Sequence, residues 1–231
     1  MRVALVENTA ITHHGQVGVA LAEAGALIDV IRPFAGDALP EPGAHDALVV
    51  FGGEQSALAD DSHPYLPALA RLMRDTADSG RAVLGLCLGA QVFARGLGAQ
   101  NRLGGTTEFG WCRVERTEAG ATDPLFSAAP TRFAATQWHS DTFSLPDGAV
   151  HLARSVAAHS QAFRYGRAGY ATQFHFEAHR GVVADWLRRF PDQVAAIDPD
   201  FAASHADRAR TEGTEADAVG LALARRWVGL I

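Results

Sequence analysis

The sequence predicts an α/β fold: a doubly wound, mostly parallel sheet that gains antiparallel strands in its second half. Three observations carry this. Before Gly104 short apolar runs alternate with helical periodicities, the pattern of strands joined by crossover helices. From Gly104 onward the runs are shorter, β-rich and separated by turn residues such as Pro146-Asp147-Gly148. Between the two regimes, Gly85-Leu86-Cys87-Leu88-Gly89 makes a sharp strand-to-helix corner of the kind found at the top of parallel sheets.

Taken in order, Val3 to Val6 is an apolar strand and Val17 to Ala24 a helix closed by Gly25. Leu27 to Ile31 is a second strand, and Asp46 to Phe51 a third that ends in Gly52-Gly53. Tyr65 to Ala77 is an amphipathic helix ending near Gly80. Ala82 to Leu86 is an apolar run suited to a buried parallel strand, and Gln91 to Leu97 a helix that stops at Gly98. Trp111 to Glu115, Thr131 to Gln137, His151 to Ser155, Gln161 to Tyr165 and Ala171 to His175 read as a mixed or antiparallel extension of the same sheet.

After His179 the chain returns to helix, and Pro191 to Ile231 is mostly Ala-rich and helical. Trp186, Leu187 and Phe190 share a helical spacing, and Leu221, Leu223, Trp227 and Leu230 recur in a second apolar segment. Exposed, they would form a larger apolar patch than soluble proteins usually tolerate. The tail is therefore expected to pack on a core of about residues 1–190 within a single domain spanning 1–231. A loosely held terminus is the alternative.

The 231 residues are 48% hydrophobic and 20% charged, as in an ordinary globular chain, and the formal charge of −6 argues against a nucleic-acid binder. No stretch reaches transmembrane length, and the N-terminus lacks the apolar stretch and cleavage site of a signal peptide, so a cytoplasmic protein is expected. The two cysteines make no disulfide framework, which suits a reducing compartment, and Cys112 reads as a buried apolar filler.

The corner at Cys87 has the G-x-nucleophile-x-G form of a nucleophile elbow. Small residues two positions away on either side let strand and helix approach while the central side chain is pushed out. A thiol there faces the positive end of the following helix, which favours thiolate. A structural cysteine in an ordinary βα turn is the other reading, but both glycines fall where an elbow needs them. A thiolate nucleophile needs a base, and the base needs a group that fixes its tautomer. Tyr170 to Phe176 has strand composition, so His175 and Glu177, two apart, would project from one face.

Of the ten histidines, His13, His14, His45, His63 and His205 sit in polar, loop-like or helical surroundings and are expected to be solvated. His175 and His179 are four apart, but no acidic or Cys cluster completes a zinc set, so no metal is expected. No G-x-x-x-x-G-K-[ST] phosphate loop is present, and no cofactor is called for.

Phe51-Gly52-Gly53, Gly85-Leu-Cys-Leu-Gly-Ala-Gln91, Gln137-Trp-His-Ser-Asp141 and Gln173-Phe-His-Phe-Glu177 together resemble the class I glutamine amidotransferases, of the free-standing type similar to the glutaminase half of GMP synthase. Glu108-Phe-Gly-Trp111 and Gln161-Ala-Phe-Arg-Tyr165 add weaker support, and the resemblance covers roughly residues 1–190. It implies a flavodoxin-like sheet, with Cys87 as nucleophile, His175 as general base and Glu177 as its orienting partner. One departure is visible: Phe176 stands where the family usually has proline.

On this reading L-glutamine is hydrolysed through a γ-glutamyl thioester, with the oxyanion between the Gly53 and Leu88 backbone N–H groups. Gly52, in the same glycine turn, is expected to contact the substrate. Gln91 is implied by the resemblance as a substrate contact, and the loop Trp138-His139-Ser140-Asp141 as the other wall, with Asp141 facing the substrate ammonium. The expected partner is an ammonia-accepting synthetase subunit; a homodimer is also open. A self-contained γ-glutamyl amide or peptide hydrolase is the alternative, and a non-catalytic regulatory module a second one, against which the intact Cys87, His175 and Glu177 argue.

Overall fold

Val3 and Leu5 point to one face of a sheet and Ala4 and Val6 to the other, and this period of two builds a core layer on each side. The computed structural model describes residues 1–231. Strand β1 (Arg2–Val6) pairs in parallel with β2 (Leu27–Ile31) and with β3 (Ala47–Val50), and β4 (Ala82–Leu86) runs parallel to β3. The second half adds β5 (Asn101–Arg102), β6 (Glu108–Arg116), β7 (Arg132–His139), β8 (Thr142–Phe143), β9 (Val150–Arg154), β10 (Ala162–Tyr165) and β11 (Gly169–Thr172). The main sheet has nine strands in the order β2-β1-β3-β4-β11-β10-β9-β6-β7, and β5 with β8 forms a separate ribbon. Pairing is parallel from β2 to β11 and antiparallel from there to β7, as the sequence predicts.

The last strand of the chain is thus inserted in the middle of the sheet. β11 lies against β4, with Leu86 opposite Thr172. This pairing brings the far end of the sequence to the elbow.

Helices cover both faces. α1 (Gly15–Glu23) and the C-terminal α8 (Glu212–Val228) lie on one, and α2 (Leu66–Asp78) and α3 (Leu88–Gly96) on the other. A short α4 (Glu118–Thr122) caps the β6 end, Thr117 accepting from the Gly120 N–H. Then α5 (Arg180–Arg189), α6 (Pro191–Ile197) and α7 (Phe201–Arg210) wrap past Trp111, where Val183, Val194 and Phe201 form a third apolar cluster. Trp227 and Leu223 are fully buried in the main core with Phe174 and Phe176. Helix α3 begins at Leu88, three residues earlier than the apolar periodicity suggested, because the elbow leads directly into it.

The elbow glycines are required by contact. A Cβ on Gly85 would lie 2.5 Å from the Gly89 carbonyl oxygen, and one on Gly89 would lie 2.0 Å from that of Val50. Backbone on both sides leaves no flexible atom to move. Gly89→Ala should therefore cost about 3 kcal/mol, measured as a lower urea midpoint at unchanged m. Wild-type stability in that variant would show that the elbow has room.

Candidate active site

β4 ends at Leu86 and α3 starts at Leu88, so Cys87 alone makes the turn. Its φ of 52° and ψ of −106° make it the one non-glycine residue at positive φ. Such a conformation costs roughly 1–3 kcal/mol and persists only where the surroundings over-determine it. Here the Cys87 N–H donates to Thr172 O at 2.8 Å, and its carbonyl accepts from the Gln91 N–H at 3.1 Å. The thiol is held at the first turn of α3, where backbone N–H groups lack intrahelical acceptors and the dipole is positive.

His175 Nδ1–H donates to Glu177 Oε1 at 2.7 Å, and both side chains are buried. The expected strand over Tyr170 to Phe176 does not extend that far: β11 ends at Thr172, and His175 forms only an isolated antiparallel bridge with Thr136. The reason is local. The neighbouring β4 turns away at Cys87, leaving no ladder to follow, and Thr172 Oγ1–H donates to Phe174 O at 2.9 Å, bending the chain. His175 and Glu177 meet across this bend rather than on one strand face. The His175 N–H to Thr136 O bond and the Gln16 N–H to Glu177 O bond, both 2.8 Å, fix the bend on two sides.

Burial opposes a charge on His175. The Glu177 carboxylate and the Cys87 sulfur, which also hydrogen-bond the ring, outweigh it and hold the imidazole well above its ordinary pKa. With Nδ1 engaged by Glu177, Nε2 is the ring nitrogen left for another partner. The arrangement can store a proton on the imidazole beside a sulfur nucleophile.

Gly52 lies close against both groups: a Cβ there would lie 3.0 Å from His175 Cε1 and 3.6 Å from Cys87 Cβ. A Cβ on Gly53 would meet the Leu88 side chain at 2.8 Å, so the glycine turn and the elbow are in direct contact. The Gly53 N–H donates to no protein acceptor. The turn is braced by Asn8, which donates to Phe51 O at 2.8 Å and accepts from the Tyr65 hydroxyl at 3.1 Å.

Gly52, Gly53, Cys87, Leu88, His175 and Glu177 line a cavity of about 580 Å³ that also takes in Gln91, His139, Ser140 and Asp141. Gln91 Nε2–H donates to Asp141 O at 3.3 Å and to Gln173 Oε1 at 3.2 Å, while Gln173 Nε2–H reaches Cys87 Sγ at 3.7 Å. Asp141 Oδ1 accepts from the Gly104 N–H at 2.8 Å, so one of its oxygens anchors a loop. His139 is tied by Nδ1–H to Asp141 O at 2.9 Å. Buried Gln137 donates to Gln161 at 2.9 Å, and Gln161 in turn donates to Glu108, so three separate sequence fragments meet behind this wall.

Gln173 gained no role from the sequence, although it stands two residues before His175. Trp186 and Phe190 were read only as an apolar helical face, yet both line the cavity, with Trp186 5.2 Å from the His175 ring. The five histidines expected to be solvated are instead partly buried and partnered. His13 pairs with Asp185 and His45 with Asp29, His14 is bonded to buried Glu7 and stacked on Phe51, and His205 stacks on Trp111. His63, also half-buried, accepts or donates at Ser62. Cys112 is half-buried rather than buried, its Sγ 3.3 Å from Phe109 O, and burial pushes its pKa up to about 11.

Residues 19–191 match the model of the family described as glutamine amidotransferase class-I. The chain belongs to this family. Among curated relatives, the chain is 36% identical to the glutamine amidotransferase-like protein YfeJ of Salmonella typhimurium over 158 residues, 66% of each chain. It is 33% identical to the glutamine-hydrolyzing GMP synthase of Thermomicrobium roseum over 68% of this chain but only 28% of that protein. It thus spans about a quarter to two thirds of these relatives' lengths. Crystal structures of glutamine amidotransferases from Thermotoga maritima (TM-score 0.86, 26% identity, 98% of both chains) and Methylobacillus flagellatus (TM-score 0.88, 27% identity, 100% of this chain and 95% of the other) share the amidotransferase fold over its whole length. The family match stops within α6, so α7 and α8 lie outside it.

Proposed function

We propose that this chain hydrolyses the side-chain amide of L-glutamine through a Cys87 thioester and that the ammonia serves a synthetase lying outside these 231 residues. The observation that carries the reading is the 2.7 Å His175–Glu177 pair beside a sulfur held at a positive-φ elbow. Cys87 Sγ attacks the amide carbon, and the developing oxyanion is met by the Gly53 and Leu88 N–H groups. His175 gives its proton to the departing nitrogen as the C–N bond breaks. It then takes a proton from water, whose hydroxide cleaves the thioester to glutamate and frees the thiol. Gly52 keeps the space beside His175 open, while Gln91, His139, Ser140 and Asp141 form the glutamyl side. Family membership supports amide hydrolysis in general, and the glutamine-hydrolyzing GMP synthase relative supports a synthetase partner.

The α8 core contacts support one domain over 1–231. No helix is long and apolar enough to cross a membrane, and two free thiols fit a reducing, cytoplasmic setting.

The test is ammonia release from L-glutamine by the purified chain, compared with two variants. His175→Ala should reduce turnover roughly 10⁴-fold and Glu177→Gln roughly 10²-fold, because the imidazole still works without its charged partner. The pH profile gives a second readout. Glu177 raises the His175 pKa, so its removal lowers that pKa, and the high-pH limb of kcat/KM should move to lower pH. Equal, complete loss in both variants, or an unmoved limb, would remove Glu177 from the orienting role.

A further inference from the structure

A cavity of about 580 Å³ lies in the roughly 300–1,000 Å³ range of sites for drug-sized ligands, larger than one glutamine requires. Its surplus volume has a direction. The amine of a γ-glutamyl substrate departs beside the group that protonates it, and the ring next to His175 is Trp186, at 5.2 Å. Trp186 in turn meets Trp138 edge-on at 5.8 Å, and Trp138 meets Phe190 at 5.7 Å. Ile197, at the end of α6 and 40% exposed, continues this wall to the cavity mouth. Apart from Gln193, the α5–α6 side is thus an aromatic and aliphatic surface starting at the leaving group.

The charges around the cavity are one-sided. Glu54, Glu108, Asp141 and Glu177 line it, and no arginine does; all 20 basic side chains of the sequence are arginine. The lining histidines are engaged, His13 with Asp185, His139 with the Asp141 carbonyl and His175 with Glu177. An amine bearing a carboxylate would enter a net negative site in which no arginine is present and His175 is already paired with Glu177.

Resting on the thioester reading above, we propose that the same site hydrolyses γ-glutamyl amides of apolar, uncharged-tail amines, with the amine substituent seated against Trp186, Trp138, Phe190 and Ile197. Cys87 forms the thioester as the C–N bond breaks, the amine leaves with the proton from His175, and water releases glutamate.

Glutamate release by the wild-type chain should be measured with L-glutamine, γ-glutamyl-benzylamide and γ-glutamyl-glutamate. The benzylamide should exceed γ-glutamyl-glutamate in kcat/KM by at least roughly tenfold. Ile197→Arg, at an exposed position that tolerates the change, should narrow that ratio by roughly tenfold, by trading apolar contact for a cation. Phe190→Ala should lower the benzylamide-to-glutamine ratio in the same direction. Hydrolysis of glutamine with no preference for the benzylamide, or ratios unmoved by both variants, overturns the substrate class and leaves the thioester reading standing. No release from any of the three, with no labelling of Cys87 by a glutamine-like diazo-ketone, overturns both.

Discussion

Cys87→Ala should abolish ammonia release, by at least roughly 10⁴-fold, while the melting temperature stays near that of the wild type. The substitution removes one sulfur atom and leaves the elbow backbone, its Thr172 and Gln91 hydrogen bonds and the glycine contacts in place. A glutamine-like diazo-ketone should add a single covalent mass to the wild-type protein, and peptide mapping should locate it on Cys87. Cys112 offers the internal control, because burial holds its thiol neutral with a pKa of about 11. Near wild-type turnover in the variant, or label found mainly on Cys112, would identify the wrong nucleophile.

Deleting residues 220–231 should leave an insoluble or aggregating chain. The deletion strips Leu223, Ala224, Trp227 and Val228 from the main core. Removing a buried tryptophan side chain alone costs about 3–5 kcal/mol and a leucine about 2–5, against a whole-domain stability of about 5–15. The loss also reaches the site. A Cβ on Gly220 would lie 2.2 Å from the Phe176 carbonyl oxygen, so α8 presses on the segment between His175 and Glu177. The Arg225–Glu23 pair at 2.7 Å, which ties α8 to α1, is solvent-exposed and adds little. Soluble expression and melting of the truncated protein check this, and a soluble truncation with unchanged activity would detach the tail from the fold.

The same contact accounts for Phe176. Where a proline would have stiffened the chain, the ring is buried in the main core, beside Phe174 at a centroid distance of 6.5 Å. Here the bend between His175 and Glu177 is held by packing from α8 and by hydrogen bonds from Thr136 and Gln16, instead of by a restricted φ. The sequence marked the substitution, but only its surroundings explain how the bend is kept.

The elements written in the sequence are those governed by short-range rules. Leu27–Ile31 and Ala82–Leu86 fall where their apolar runs lie, and the Gly85 and Gly89 spacing specifies the elbow because strand and helix must touch two residues on either side of Cys87. The change from parallel to antiparallel pairing was legible in the shift from helix-separated to turn-separated runs. What only tertiary structure decided are the contacts across long stretches of chain. The insertion of β11 between β4 and β10 brings Thr172 to Cys87, and the end of β4 then deprives His175 of a strand. Gln173 reaches the sulfur and Trp186 reaches the imidazole by the same long-range closure. Periodicity reports which face of an element is apolar, and it is silent on whether that face meets the core or a cavity. That choice is made when the whole chain packs, and it turned a helix face that reads as core into a cavity wall beside His175.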